Sequence, residues 1–180
     1  KETRSDFENL RNMVHQNYDD RKYDALIDYL SERGREKCLI FVQREATRKE
    51  LVVRLANDLG KKVEEHTGTE TQKAKIRERF APVAHKKKIK KKNQIDILVS
   101  TDNLSEGFDL QDASITVDYD LWWTPLKLQQ RMGRLDRPTD KPRSFEVMRF
   151  VNTAPCYTDL VKIDERLSSR SILLKKLIGD

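Results

Sequence analysis

The segment Q-R-M-G-R-L-D-R, from Gln130 to Arg137, is the strongest candidate for chemistry in this sequence. At about 100° per residue on a helix, Gln130, Gly133, Arg134 and Arg137 fall on one side, opposite the apolar side chains. An interior glycine costs a helix about 1 kcal/mol relative to Ala, so Gly133 indicates that another group approaches the backbone closely. Two guanidiniums beside it suit phosphate oxygens, which Arg binds bidentately. The alternative is an amphipathic helix whose arginines are simply solvated.

A second polar segment follows the clearest strand pattern of the chain and runs from Ser100 to Asp109. Its hydroxyls and backbone N–H groups can donate to phosphate, and its carboxylates can accept from a ribose hydroxyl. In open parallel sheets, ligands bind at loops that leave the carboxyl ends of strands, where this segment is expected to lie. Ordinary capping of a short helix by Thr101 or Asp102, closed by Gly107, explains the same residues about equally well.

The elements around these segments alternate between strand and helix. Short apolar or β-rich runs predict strands at 38–42, 62–65, 95–100, 115–119 and 145–151. Helical periodicity predicts helices before Gly34, over 51–59, over 71–80, from Thr124-Pro125 toward Pro138, and over 159–178. The pattern predicts an α/β fold with a parallel sheet flanked by helices. We divide it into a helical lead-in at 1–36, a sheet domain at 37–152 and a C-terminal helix at 153–180.

Composition excludes several classes of protein. No apolar run approaches the roughly 18 residues that a membrane span needs. The sequence opens at Lys1 without a Met or an apolar signal region, so we expect a fragment of a longer protein. Two cysteines favour a reducing, cytoplasmic location over a disulfide scaffold. His15, His66 and His85 are too scattered to predict a metal site, and we expect them to be structural.

The net charge of +6 comes from one segment of the chain. Six lysines lie close together, at Lys86, Lys87, Lys88, Lys90, Lys91 and Lys92. They fall between a predicted helix and a predicted strand, so we expect a surface loop. A solvated loop is slightly favoured, because charge runs more often stay in solvent than dock. The alternative is a contact with nucleic-acid phosphates that carries no sequence preference, and Lys86, Lys87 and Lys88 are its candidates.

Four motifs in order resemble the second RecA-like lobe of superfamily-2 helicases and translocases. They are L-I-F-V-Q at 39–43, H-T-G at 66–68, I-L-V-S-T-D-N-L-S-E-G-F-D-L-Q at 97–111, and Q-R-M-G-R-L-D-R at 130–137. The resemblance spans residues 38 to about 151. The phrase Y-D-L-W-W-T-P-L-K-L-Q-Q is most similar to the Swi/Snf-like branch, nearest the bacterial and archaeal RNA-polymerase-recycling type. Pro138-Thr139-Asp140 departs from the Ile-Gly-Gln that often follows in this branch, which weakens the subfamily assignment more than the fold.

The resemblance implies a role for each matching residue. Arg134 and Arg137 would be arginine fingers facing the γ-phosphate of ATP, and Gln130 would help to order that site. Gly107 and Asp109 would approach the nucleotide or its ribose. A further set would lie along the nucleic-acid backbone, namely Gln43, Arg44, Thr67, Gly68, Thr101 and Asn103.

The sequence contains no G-x-x-x-x-G-K-[ST] segment, the loop that holds phosphates and Mg²⁺ in such ATPases. The resemblance therefore implies that ATP and Mg²⁺ are held mainly by an N-terminal RecA-like lobe of the same chain. We expect part of a nucleic-acid-dependent ATPase, inactive alone, that translocates on double-stranded DNA and is nucleoid-associated. An RNA-directed helicase lobe and a degenerate lobe used for protein interaction remain alternatives.

Overall fold

The computed structural model describes residues 20–34, 36–101, 109–120, 125–132 and 144–150, in two compact units, Lys1–Gly34 and Arg35–Asp180. In the first unit, helix α1 (Arg21–Ser31) begins where Asp20 Oδ1 accepts from the Tyr23 N–H at 3.1 Å. Tyr23, Leu26 and Leu30 are its buried residues, at the i, i+3, i+7 spacing of one helix face. The predicted N-terminal helical extension is thus present over these residues. The predicted helix at 159–178 lies outside the described residues.

The second unit alternates strands and helices as predicted. Its elements are β1 (Cys38–Phe41), α2 (Glu45–Leu59), β2 (Val63–Glu65), α3 (Glu70–Phe80), β3 (Ile97–Ser100), β4 (Ile115–Asp118), α4 (Pro125–Met132) and β5 (Glu146–Arg149). A 3₁₀ turn at Lys91–Asn93, which the sequence did not predict, precedes β3. Helix α2 stops at Gly60, whose φ of +58° is the left-handed conformation that glycine adopts readily.

The five strands described form one sheet in the order β2-β3-β1-β4-β5, and every neighbouring pair is parallel. In the centre, Cys38 pairs with Ile97 on one side and with Ile115 on the other. Because all strands run the same way, the loops after them emerge at one edge, called here the carboxyl edge. The segments that lead into the strands meet at the opposite, amino edge. The predicted parallel α/β class is confirmed.

The central strands are buried along their whole length, as a sheet covered on both faces requires. Leu39 and Phe41 of β1 pack with Phe80 at the end of α3. Since side chains alternate along a strand, Cys38 and Ile40 face the other side of the sheet, where they are equally buried. Each such apolar side chain contributes roughly 1.5–3 kcal/mol by leaving water. No helix in the described ranges is long and apolar enough to cross a membrane.

Candidate nucleotide and nucleic-acid site

The loops after β1 and β4 are joined at the carboxyl edge. The strand pairing continues past β1, where the Val42 N–H donates to the Ser100 carbonyl at 2.9 Å. The Gln43 N–H then donates to Asp120 Oδ2 at 2.8 Å, which fixes the loop after β1 against the loop after β4. Gln43 and its neighbour Arg44 are both exposed. Two of the side chains that were predicted to bind the nucleic-acid backbone therefore lie on the surface of an anchored loop.

The loop after β2 is positioned by a buried arginine of α2. Arg48 is only 3% exposed, and its Nε donates to Glu65 Oε2 at 2.9 Å. Its Nη2 donates to Thr67 Oγ1 at 3.3 Å. One guanidinium thus joins α2 to the end of β2 and holds the Thr67 hydroxyl in place. Because β2 and β3 are neighbours, half-buried Thr101 after β3 belongs to the same edge.

A backbone turn at Gly68 starts helix α3. Gly68 has φ +96°, and a Cβ built there would lie 2.3 Å from Gln72 Oε1. That same oxygen accepts from the Thr69 N–H at 2.9 Å, and Thr69 Oγ1 accepts from the Gln72 N–H at 3.4 Å, which makes a capping box. The positive φ favours glycine, and a Cβ there would displace the Gln72 amide from the capping box. The turn leaves Gly68 exposed beside Thr67, as a close backbone approach needs.

His66 is a buried base held against α3. It is 2% exposed, and its Nε2 lies 3.2 Å from Arg77 Nη1. A guanidinium only donates, so Nε2 accepts, and the neutral ring carries its proton on Nδ1. Burial first, and then the charge of Arg77, lower the pKa of His66 to about 4. Within the described part of the chain, Nδ1 has no hydrogen-bond partner. The structural role predicted for this histidine fits its position.

Helix α4 contains the first residues of the predicted phosphate-binding segment. A buried ion pair fixes this helix to the sheet. Arg131 and Asp118 are 1% and 2% exposed, and Arg131 Nη1 donates to Asp118 Oδ1 at 2.5 Å. The guanidinium also lies over the Phe41 ring, 4.5 Å from its centroid. Arg149 of β5 donates from Nε to the other oxygen, Asp118 Oδ2, at 3.2 Å. One carboxylate thus joins α4, β4 and β5.

Gln130, next to this anchor, is exposed. The structure therefore presents it away from the sheet, as the predicted face of the helix requires. Gly133, Arg134, Arg137, Asn103 and Gly107 lie outside the described residues, so their predicted roles stay predictions. Half-buried Asp109 precedes the turn Leu110–Ala113, which leads into β4.

The structure does not bring Lys86, Lys87 and Lys88 to the carboxyl edge. They lie between α3 and β3, and all three are exposed. Lys87 forms an ion pair with Glu78 at 3.0 Å. Their predicted surface position is confirmed, whereas a contact with nucleic acid stays a prediction.

Sequence reasoning missed the buried charges that hold the site together. Arg131 was not singled out, although it follows buried Leu128 by three residues and therefore shares its helix face. The same periodicity places Arg48 three residues before buried Leu51. The signal was present in both cases, but a charged side chain on an apolar face is easily assigned to solvent.

Comparison with known proteins identifies the family. Residues 21–139 match the family model of the helicase conserved C-terminal domain. That range is well over half of the chain, so the protein belongs to the helicase conserved C-terminal domain family.

An uncharacterized ATP-dependent helicase of Bacillus subtilis, YqhH, is 30% identical over 89 residues. The match covers 49% of this chain and 15% of YqhH, so this chain spans only a small part of that relative's length.

Solved structures show the same fold. The C-terminal domain of the DEAD-box protein Dbp5 matches with a TM-score of 0.60 and 21% identity, over 88% of this chain and 79% of that one. The helicase domain of Pyrococcus furiosus Hef matches with a TM-score of 0.56 and 23% identity, over 78% of this chain and 27% of that one. The C-terminal part of the Fun30 ATPase domain matches with a TM-score of 0.55 and 16% identity, over 87% of this chain and 53% of that one. The predicted RecA-like fold is confirmed, and these likenesses do not single out one branch of the superfamily.

Proposed function

We propose that this chain is the second motor lobe of an ATP-dependent double-stranded DNA translocase of the Swi/Snf-like branch, nearest the RNA-polymerase-recycling type. The observation that carries the proposal is the anchoring of α4. A buried ion pair fixes the start of Q-R-M-G-R-L-D-R against the sheet, and exposed Gln130 stands beside that anchor. An arginine finger must be held in a set position to act on transition-state charge.

In this proposal the carboxyl edge contacts nucleic acid. Gln43, Arg44, Thr67 and Gly68 lie there on loops fixed by Asp120 and Arg48. Thr101 directly follows β3, and Asn103 would act with it. Hydroxyl, amide, guanidinium and backbone N–H groups suit phosphates and carry no base preference. Such contacts fit a motor that moves along a duplex irrespective of its sequence. A protein of this kind would be nucleoid-associated.

ATP would be shared between two lobes. The guanidiniums of Arg134 and Arg137 have the chemistry to bind its terminal phosphate, and Gly107 and Asp109 would approach the ribose. An N-terminal RecA-like lobe would hold the rest of ATP and Mg²⁺, because the sequence here lacks the phosphate-binding loop. Opening and closing of the cleft between the lobes would then move the protein along its track.

The test has two parts. Purified as this 180-residue chain, the protein should hydrolyse no ATP above background with duplex DNA present, since half of the site is supplied elsewhere. Sustained DNA-stimulated turnover by the chain would contradict the two-lobe proposal. In the longer protein with both lobes, duplex DNA should stimulate turnover more strongly than duplex RNA of the same sequence. Preference for RNA would point to an RNA-directed helicase, and binding without turnover to an interaction module.

A further inference from the structure

The amino edge of the sheet, opposite the candidate site, carries a cavity of about 540 Å³. Most of its charged lining is lysine. The lining includes Lys37, Lys61, Lys62, Lys91, Lys92 and one carboxylate, Asp96. Five lysines and one aspartate among the lining residues make the hollow positively charged, although the Lys37 ammonium itself donates to the Phe80 carbonyl.

The fold explains why these lysines converge, because β2, β3 and β1 are neighbours in a parallel sheet. Lys37 directly precedes β1, Lys62 precedes β2, and Lys92 lies on the turn before β3, so all three reach the amino edge. Asp96 holds two of the walls together, since its Oδ2 accepts from the Lys62 N–H at 2.9 Å. The backbone N–H of Asp96 donates in return to the Lys62 carbonyl at 2.9 Å.

The turn that carries Lys91 and Lys92 is tied to the rest of the unit. Arg79 Nε donates to the Asn93 carbonyl at 3.0 Å, and the same guanidinium makes two bonds to Glu64, at 2.6 and 2.8 Å. The Ile95 N–H donates to the Arg79 carbonyl at 3.1 Å. The backbone at Lys91 and Lys92 is therefore held in place by these hydrogen bonds. A ligand would not have to order this part of the protein on binding.

Lys91 and Lys92 bring positive charge that no acidic side chain in the described ranges pairs with. Lys62 Nζ donates only weakly, to the Lys92 carbonyl at 3.5 Å. Burial lowers the pKa of Lys37, against the opposing charges of Asp112 and Asp96. Like charges held in one hollow repel one another, and an anion would relieve that repulsion.

We propose that this cavity binds phosphate groups of a nucleic-acid backbone, as a second contact separate from the carboxyl edge. Lysine is a point charge that holds phosphate without the fork geometry by which Arg reads base edges. The described lining holds no aromatic ring on which a base could stack. Four-residue strands separate the two edges by about 13 Å, so a phosphate in this cavity would be distinct from any phosphate at the carboxyl edge. The inference rests on the proposed function in that it takes nucleic acid as the ligand.

The first test compares two double variants that remove the same charge. K91Q/K92Q changes the cavity, and K49Q/K75Q changes two exposed lysines on α2 and α3. Binding of a short DNA duplex to the chain is followed by fluorescence anisotropy over a salt series. Two phosphate contacts contribute about 1.8 units to the log–log salt slope, so K91Q/K92Q should lower the slope by about that amount. K49Q/K75Q should leave it within about half a unit.

The second test needs no substitution. Acetylation of each lysine in the wild-type chain is followed by mass spectrometry, alone and with duplex DNA, inorganic pyrophosphate or polyglutamate. Duplex and pyrophosphate should slow acetylation of Lys61, Lys62, Lys91 and Lys92 and leave Lys75 unchanged. Protection by polyglutamate but not by duplex would overturn the proposal in favour of an acidic protein partner.

The outcomes separate this inference from the proposed function. Equal slopes for the two double variants, with a lower slope for Arg44→Ala at the carboxyl edge, would overturn the cavity proposal and leave the motor proposal standing. A different outcome is that the chain binds no duplex while pyrophosphate still protects the cavity lysines. That result would overturn nucleic-acid binding both at the cavity and in the proposed function, and the cavity would then be a site for a small phosphate.

Discussion

Arg131→Met tests whether helix α4, at the start of the proposed phosphate-binding segment, is anchored as the structure shows. Methionine keeps most of the apolar stem but removes the charge that faces Asp118 at 2.5 Å. Removing one partner of a buried ion pair costs about 3–5 kcal/mol, because the other charge stays buried. Asp118 keeps Arg149 at 3.2 Å, so we expect the lower end, about 3 kcal/mol. With a slope of about 2 kcal/mol per M, the urea midpoint should fall by about 1.5 M.

Arg54→Met is the matched control, since Arg54 pairs with Glu50 at 3.2 Å on the surface of α2. It should cost no more than about 0.5 kcal/mol. Combining Arg131→Met with Asp118→Leu removes both charges. The double variant should lose about 2 kcal/mol less unfolding free energy than the two single variants lose together. Urea unfolding followed by circular dichroism measures all four. A loss below about 1 kcal/mol for Arg131→Met would refute the reasoning, because an exposed ion pair would give the same value.

Three other predictions concern single residues. The pKa of His66 is lowered to about 4 in the folded chain, so the unfolded chain binds a proton first as the pH falls below about 6.5. Stability measured by urea unfolding should therefore be lower by about 1–2 kcal/mol at pH 5 than at pH 7.5, and His66→Leu should remove that difference. Gly68→Ala should cost about 1–2 kcal/mol in the same assay, through left-handed strain and displacement of Gln72, and a neutral substitution would contradict the capping geometry. Burial raises the pKa of the Cys38 thiol, so a Cys156→Ser chain should react with a thiol reagent only after denaturation, and fast native labelling would show that β1 is exposed.

The apolar positions of this sequence predicted most of the fold. The run from Cys38 to Val42 and the Gly60 stop specify local structure by themselves, and both appear where expected. The candidate site was predicted less completely, because its supports join residues far apart in the chain. Asp118 meets Arg131 only after the sheet has formed. The amino-edge cavity depends in the same way on strand order, which local patterns do not contain. A run of lysines predicts charge at the surface, but it does not predict which strands and turns surround that charge.

The most direct test of the central claim is ATP turnover by the proposed two-lobe protein after substitution of Arg137. An arginine finger acts on transition-state charge and contributes about 10³–10⁵ in rate. Arg137→Ala should therefore abolish DNA-stimulated turnover while ATP binding, measured separately, stays nearly intact. Arg137→Lys should restore little, because lysine lacks the bidentate fork. Retention of more than about a tenth of wild-type turnover by the alanine variant would contradict the claim that this lobe supplies the arginine finger, since such a loss is far smaller than a finger contributes.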